Sequence, residues 1–300
     1  EEDVATEMFV INSHDYVLFF TDKGRVYRLK CYEVPEGSRQ SKGMNIANLL
    51  PIAADEKVTS MIRVPEFDEE KYLVMVTKQG IIKRISLNAY NTARKGGLIA
   101  LELNDGDELA WVRLTDGNQQ VIVATKNGLA IRFEETDVRP MGRQARGVKA
   151  ISLREGDCVV GMCVVTNDDL ILTASETGFG RISNVSDYRL QSRGGKGITN
   201  YHTEKYGNVA AVSAVKLDED IIIISQEGVI IRIAADTVRI CNRPSKGVTL
   251  MRIGENDKVV TVARAPHEDS ESEKTEETAE EETSEENTAP ETNAEENTEE

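Results

Sequence analysis

Val121-Ile122-Val123-Ala124-Thr125-Lys126-Asn127-Gly128-Leu129-Ala130-Ile131-Arg132-Phe133 is two short β-rich runs around an Asn-Gly turn. Asn-Gly between apolar runs is the strongest short-range hairpin signal, because the tight turn that joins twisted strands needs positive φ. Four other stretches repeat the pattern: Tyr16–Phe20 with Gly24–Leu29, Tyr72–Val76 with Gly80–Ile85, Leu170–Ala174 with Gly178–Ile182, and Ile221–Ile224 with Gly228–Ile233. The first run of each is almost continuously apolar. Both of its faces must therefore be covered, as in a sheet packed between neighbouring sheets.

Working outward, the turn glycines Gly24, Gly80, Gly128, Gly178 and Gly228 are each followed by a second glycine, at Gly43, Gly97, Gly147, Gly197 and Gly247. A further apolar strand then starts at Val58, Leu109, Val159, Val209 and Val259, and its last four starts are 50 residues apart. A period of this length marks a radial or solenoidal array. Each unit reads as a hairpin, a loop, a third strand such as Val148–Leu153 and a fourth such as Val159–Val165. Four strands per unit is the count of a propeller blade. No segment of about 12 residues holds a helical apolar period with caps, so the fold class is all-β. Residues 3–11 align with the fourth strands that follow Asp107, Asp157, Asn208 and Asp257. Residues 1–266 are thus expected to hold five complete repeats and one partial one. The implied ring has six four-stranded blades, the first incomplete in this chain, and the protein is expected to extend upstream of Glu1.

Charge is unevenly spread. The chain has 36 basic and 52 acidic residues, a net −16, but residues 267–300 hold 16 acidic residues against the single Lys274. That tail is Glu, Thr, Ser, Asn and Ala without aromatic residues, so burial cannot offset the entropy of ordering it, and disorder is expected. Its role is either a solvated appendage or a tethered competitor for positive surface. The remaining residues are close to neutral, and their positive charge is focused. Two basic residues precede every second glycine: Arg39 and Lys42, Arg94 and Lys95, Arg143 and Arg146, Arg193 and Lys196, Arg243 and Lys246. Solvation of independent surface charges gives no reason for such phase locking. A ring would set the pairs along one rim, as a stripe suited to a phosphate backbone. Ten phosphate contacts would give a log affinity against log salt slope of roughly −9. The loops lack aromatic residues for stacking, and no recognition helix is apparent, so the expectation is duplex DNA bound by bending with little base readout. Arg28, Arg84, Arg132 and Arg232, four residues after their turn glycines, either add to this edge or pair with carboxylates between blades; Arg181 is offset by one.

Catalytic and metal chemistry find no support. Gly194-Gly195-Lys196-Gly197 has glycine where a phosphate-binding loop needs a hydroxyl. His14, His202 and His267 are scattered, and Cys31, Cys158, Cys163 and Cys241 lie singly, as small hydrophobes of a reducing compartment. Trp111 reads as a core residue, and the acidic residues Asp105, Asp107, Glu155 and Asp157 as turn residues. No run approaches a membrane span and no signal peptide is seen. The opening Glu-Glu suggests a fragment or a processed start.

Gln191-Ser192-Arg193-Gly194-Gly195-Lys196-Gly197 resembles the Gln-Arg-Arg-Gly-Gly-Lys-Gly box of bacterial DNA gyrase A, with Ser192 the one departure. Asn12-Ser13-His14-Asp15, Gly24-Arg25-Val26-Tyr27, Pro35-Glu36 and Asn48-Leu49-Leu50-Pro51 resemble the C-terminal domain of that family, in the same order. The resemblance covers residues 1 to about 265. It implies a six-bladed β-pinwheel whose rim wraps DNA, within a cytoplasmic, ATP-hydrolysing type II topoisomerase that introduces negative supercoils. It also implies DNA gyrase B as partner, in a heterotetramer of two A and two B subunits, with ATP and Mg bound elsewhere in the holoenzyme. In the family the box lies in the first blade; here the near-match lies in the fourth complete unit and reads as a repeat cognate. No Arg-Tyr pair is present, so no tyrosine takes the family's nucleophile role. The related domain in the A-type subunit of topoisomerase IV is the alternative within the family, and a propeller protein–protein scaffold the alternative outside it.

Overall fold

The five hairpins form where the apolar runs and their turn glycines place them. The structure is a computed structural model that describes residues 11–37, 43–92, 94 and 97–267. The paired strands are β1 (Tyr16–Thr21) with β2 (Arg25–Lys30), β4 (Tyr72–Thr77) with β5 (Ile81–Ser86), β8 (Gln120–Thr125) with β9 (Leu129–Glu134), β12 (Leu170–Ser175) with β13 (Phe179–Asn184), and β16 (Glu219–Ser225) with β17 (Ile230–Ala234). The long strands β3 (Val58–Val64), β7 (Leu109–Thr115), β11 (Val159–Val165), β15 (Val209–Val215) and β19 (Val259–Pro266) begin at the residues named by the sequence period. Each lies beside the first strand of its own hairpin. One four-residue α-helix, Thr203–Tyr206, and six 3-10 turns complete the described elements.

The third strand departs from expectation. Within Val148–Leu153 only β10 (Val148–Lys149) is strand, and it pairs with Ile82 and Ile81 of β5, in the preceding blade. Likewise β6 (Leu98–Ile99) pairs with β2, β14 (Ile198–Thr199) with β9 and β18 (Val248–Thr249) with β13. Four sheets therefore run β3-β1-β2-β6, β10-β5-β4-β7, β11-β8-β9-β14 and β15-β12-β13-β18, each with its outer strand supplied by the next unit. The strands are short because the chain turns inward at once. Ala150 and Ile151 are buried between the second and third blades, and Ala150 N donates to Gly80 O at 2.8 Å.

The fifth sheet, β17-β16-β19, has three strands. The described residues thus form five blades, where six were expected; the partial strand expected over residues 3–11 and the tail expected to be disordered lie almost wholly outside them. The core sits between blades. Alternation along β1 sends Leu18 and Phe20 toward the second blade, where they meet Leu73 and Met75, and sends Val17 and Phe19 to the opposite face. That second face is covered by Ile46, Leu49, Leu50 and Ile52 of the chain's own connecting segment. Burying one such side chain contributes about 1.5–3 kcal/mol. Strands β3, β7, β11 and β15 touch in succession, and β7, β11, β15 and β19 line one cavity of about 670 Å³. These strands form the inner side, and the exchanged strands form the opposite, outer edge.

Candidate nucleic-acid interface

Three of the basic loops are anchored at both ends on the outer hairpin strand of the preceding blade. Pro140, Leu190 and Ile240 make parallel bridges to Arg84, Arg132 and Ile182. The next residues seal the entry: Met141 N donates to Arg84 O at 2.9 Å, Gln191 N to Arg132 O at 3.0 Å and Cys241 N to Ile182 O at 2.8 Å. The exchanged strands β10, β14 and β18 close the exits on the same outer strands. Loops 141–147, 191–197 and 241–247 therefore project from equivalent places on the outer edge. The second glycine is needed where the loop backbone presses on that strand. At Gly247, φ is +82° and an added Cβ would lie 1.9 Å from Gly180 O.

The basic side chains divide into two kinds. Arg94, Arg143 and Lys196 are exposed. Arg146 is exposed as well and pairs at 2.8 Å with Glu102, itself solvent-facing. Arg193 and Arg243 are half-buried staples. Arg193 Nε donates to Asp137 O at 3.0 Å and its Nη1 to Lys149 O at 3.2 Å, whereas Arg243 Nε donates to Asp187 O at 2.8 Å and its Nη1 to Thr199 O. Lys246 places Nζ 3.4 Å from the centre of the Phe179 ring. Arg39, Lys42 and Lys95 lie outside the described residues. None of the seven described is drawn into a buried ion pair. The box-like stretch is stitched to the exit of the unit before it: Gly194 N donates to Ala150 O at 2.6 Å, Ser152 N to Gly195 O at 2.8 Å and Ser152 Oγ to Gly194 O at 2.8 Å. Ser192, Gly195 and Lys196 remain exposed, while Gln191, Arg193, Gly194 and Gly197 are half-buried.

Of the arginines four residues after the turns, Arg84 and Arg132 join neighbouring blades. Arg84 lies buried 3.5 Å from Glu135 of the next blade and 3.9 Å above the Tyr72 ring. Arg132 Nη1 donates to Val185 O and Tyr188 O of the next blade, each at 2.9 Å. Arg232 pairs at 2.6 Å with Asp220 inside its own hairpin, and Arg28 sits 4.7 Å above Tyr16. Arg84 follows the interblade-carboxylate alternative. Arg181, one position off, is fully buried and donates Nη2 to Asn200 O at 2.6 Å, with its pKa lowered by burial.

Two features escaped the sequence reading. Arg139, Arg189 and Arg239 are exposed at one equivalent place beside the loops, a 50-residue spacing that the sequence does carry. Lys83 is fully buried and donates Nζ to Ala100 O and Arg143 O, both at 2.6 Å; burial pushes its pKa down to about 8. Elsewhere the chemistry is structural. Asp107 and Asp157 accept from Gln79 N and Asn127 N, each at 2.9 Å, and close turns between strands. Trp111 packs at the edge of the core between the second and third blades. The four cysteines are free, and burial pushes the Cys163 thiol up to about 11, far from a reactive thiolate. Among the described residues no group of three His, Cys, Asp or Glu could hold a metal, and no helix is long and apolar enough to cross a membrane.

The comparisons agree with this geometry. The DNA gyrase A protein of Clostridium acetobutylicum is 52% identical over 149 residues, which is 50% of this chain and 18% of that protein. Its counterpart in Halalkalibacterium halodurans, also a DNA gyrase A, is 54% identical over 149 residues, again 50% of this chain and 18% of that protein. The matches thus span under a fifth of these relatives' length. Among solved structures, a C-terminal domain of DNA topoisomerase IV aligns with a TM-score of 0.80 at 28% identity, over 91% of this chain and 85% of that one. A DNA gyrase A C-terminal domain aligns with a TM-score of 0.72 at 26% identity, over 87% of this chain and 89% of that one. The family described as DNA gyrase C-terminal domain, beta-propeller, matches residues 15–65, 71–116, 119–165, 169–216 and 219–266, one segment per observed blade. With five repeats matched across most of its length, the chain belongs to the DNA gyrase A C-terminal β-propeller family, within the type IIA topoisomerases.

Proposed function

We propose that this chain is the DNA-wrapping part of a gyrase A protein. It bends duplex DNA along the outer rim so that an ATP-dependent holoenzyme introduces negative supercoils in the bacterial cytoplasm. The observation that carries this reading is the common anchoring of loops 141–147, 191–197 and 241–247 on the outer edge. Exposed Arg143 and Lys196 stand on two of these loops, and exposed Arg94 lies in the corresponding stretch of the second unit. A curved row of cations offsets the bending energy of a short duplex, which is on the order of 1–6 kcal/mol for 40–90°. The partners are double-stranded DNA and gyrase B in a two-A, two-B assembly, with ATP and Mg held outside this chain. A six-bladed pinwheel fits the outer side of β17, beside which no exchanged strand stands among the described residues, unlike β2, β5, β9 and β13.

Two experiments test the reading. A nicked circle ligated in the presence of the chain and then deproteinised should retain supercoils trapped by wrapping; circles that close fully relaxed would sink it. The higher TM-score against the topoisomerase IV domain supports a second reading, in which the holoenzyme decatenates. Assembled with gyrase B and supplied with ATP, the whole protein should supercoil relaxed circles. Relaxation and decatenation without supercoiling would favour the second reading.

A further inference from the structure

Two cations are buried beneath the rim at one equivalent place. Lys83 and Arg181 each stand three residues after the turn glycine of their blade, Gly80 or Gly178, and each is fully buried. Lys83 Nζ donates to Ala100 O and to Arg143 O of loop 141–147, both at 2.6 Å. Arg181 Nη2 donates to Asn200 O at 2.6 Å and to Asn200 Oδ1 at 3.1 Å. Ala100 and Asn200 are themselves equivalent, each three residues after the second glycine of its unit. Arg181 also lies against loop 241–247, where a Cβ added at Gly247 would stand 2.8 Å from its own Cβ. Its guanidinium is 5.7 Å from the ring centre of Tyr201, whose hydroxyl donates to Lys246 O at 2.9 Å. Among the described residues neither cation has a carboxylate partner, and Arg181 Nε and Nη1 are buried without an acceptor. Hydrogen bonding alone does not explain the charge. In the third blade Ile131 fills the same position, and Gly194 N of the next loop satisfies Ala150 O at 2.6 Å. A backbone amide and an apolar side chain thus seat a loop there, without the cost of burying an unpaired charge.

Resting on the wrapping reading above, we propose that Lys83 and Arg181 are the buried part of the phosphate-binding rim, cations left without a carboxylate so that the wrapped duplex answers their charge. Lys83 holds the main-chain oxygen of Arg143, whose side chain is exposed on the loop. A phosphate on Arg143 acts on both cations, because buried charge is screened far less by salt than charge on the open surface. The duplex therefore favours the protonated ammonium. Burial in the free chain disfavours it and lowers the Lys83 pKa to about 8. Above that pH, binding takes up one proton from solvent. The charged groups of the held loop and of the strand exit are Arg143, Arg146 and Glu102, which pairs with Arg146. Guanidinium and carboxylate groups as classes keep their charge near pH 8. The Tyr90 hydroxyl shares Ala100 O at 3.3 Å and is pushed up by burial, and the cross-strand neighbour Met75 is apolar. The linked proton thus belongs to Lys83.

The test measures the affinity of the full chain for a short duplex by fluorescence anisotropy, at fixed salt and over about pH 7 to 9.5, a range that brackets the lowered lysine. The parent should bind roughly tenfold more weakly at the top of the range than at the bottom, within the limit of tenfold per pH unit for one linked proton. Lys83→Arg installs the residue that the fourth blade already carries at this place. It stays charged throughout and should remove the pH dependence. Arg181→Lys adds a second titrating ammonium and should steepen the dependence. A circular dichroism melt at each pH checks that both variants are folded. A parent whose affinity is flat over the range, or a Lys83→Arg variant that follows the parent's curve, overturns the assignment while wrapping stands. An Arg181→Lys curve identical to the parent's overturns it for Arg181. If the parent fails to bind duplex at any pH, the wrapping reading falls, and the buried rim falls with it.

Discussion

At the scale of single residues, the cations show how a partner decides a role. Arg193 and Arg243 look identical to Lys196 in sequence, yet their guanidinium groups hold backbone carbonyls 44 and 56 residues away. Nothing local encodes those partners, so the sequence could locate the charges and not sort staples from free contacts. Glu135 shows the stakes of burial. It accepts from Thr115 Oγ1 at 2.6 Å and Gln119 N at 2.7 Å and faces Arg84. Glu135→Ala leaves that buried guanidinium uncompensated and should lower the unfolding free energy by about 3–5 kcal/mol in urea titrations. Glu135→Gln, which keeps the hydrogen-bonding shape, should cost less; equal losses would remove the charge from the account. Lys83 gives a pH dependence of unusual sign. Its folded pKa of about 8 lies below the ordinary 10.5, so between these values the unfolded chain binds the extra proton and stability rises with pH. The parent should gain about 1.4 kcal/mol per pH unit in that window relative to Lys83→Met, with no difference in slope below it. Above about pH 10 the buried phenols of Tyr90 and Tyr188, pushed up by burial, reverse the trend, because the unfolded state then loses protons first.

At the scale of elements, hairpins and long strands were legible because their apolar runs are long enough to carry a period. The exchanged strands were not. Val148–Lys149 has two residues, too few for any alternation, and its partner Ile81–Ile82 belongs to the previous unit. Glycine carried more information than turn chemistry suggested. Gly178 caps a hairpin, but a Cβ there would also lie 2.1 Å from Met251 O, where the next unit's exit crosses it. Gly247 combines a positive φ with a 1.9 Å approach to backbone. Gly247→Ala must shift main chain on both sides of the exchange, at a cost of about 1–3 kcal/mol for the strained conformation alone. Because β18 is the outer strand of the fourth blade, the variant should also expose loop 241–247 to limited proteolysis at native temperature. Unchanged cleavage with lowered stability would mean that the exchange survives the strain.

At the scale of the whole molecule, the proposed wrapping depends on how many rim charges are available rather than on how many are present. The sequence supports ten contacts; the structure ties up some of them. Arg143 and Lys196 are exposed on their loops, so Arg143→Gln and Lys196→Gln should each flatten the log affinity against log salt slope by about 0.9, measured by duplex titration over a range of salt. Arg146 is already answered by Glu102 at 2.8 Å and releases less counterion on binding. Arg146→Gln should therefore change the slope by less, and Glu102→Gln should steepen it by freeing Arg146 for phosphate. Surface pairs of this kind contribute little to folding, about 0–1 kcal/mol, so these variants should share the parent's stability and differ only in binding. The order of effects is the discriminating result. If the three cation substitutions flatten the slope alike and Glu102→Gln steepens it by the same amount, the duplex responds to net charge and not to a track of phased contacts, and a rim built one blade at a time has no bearing on where the DNA lies.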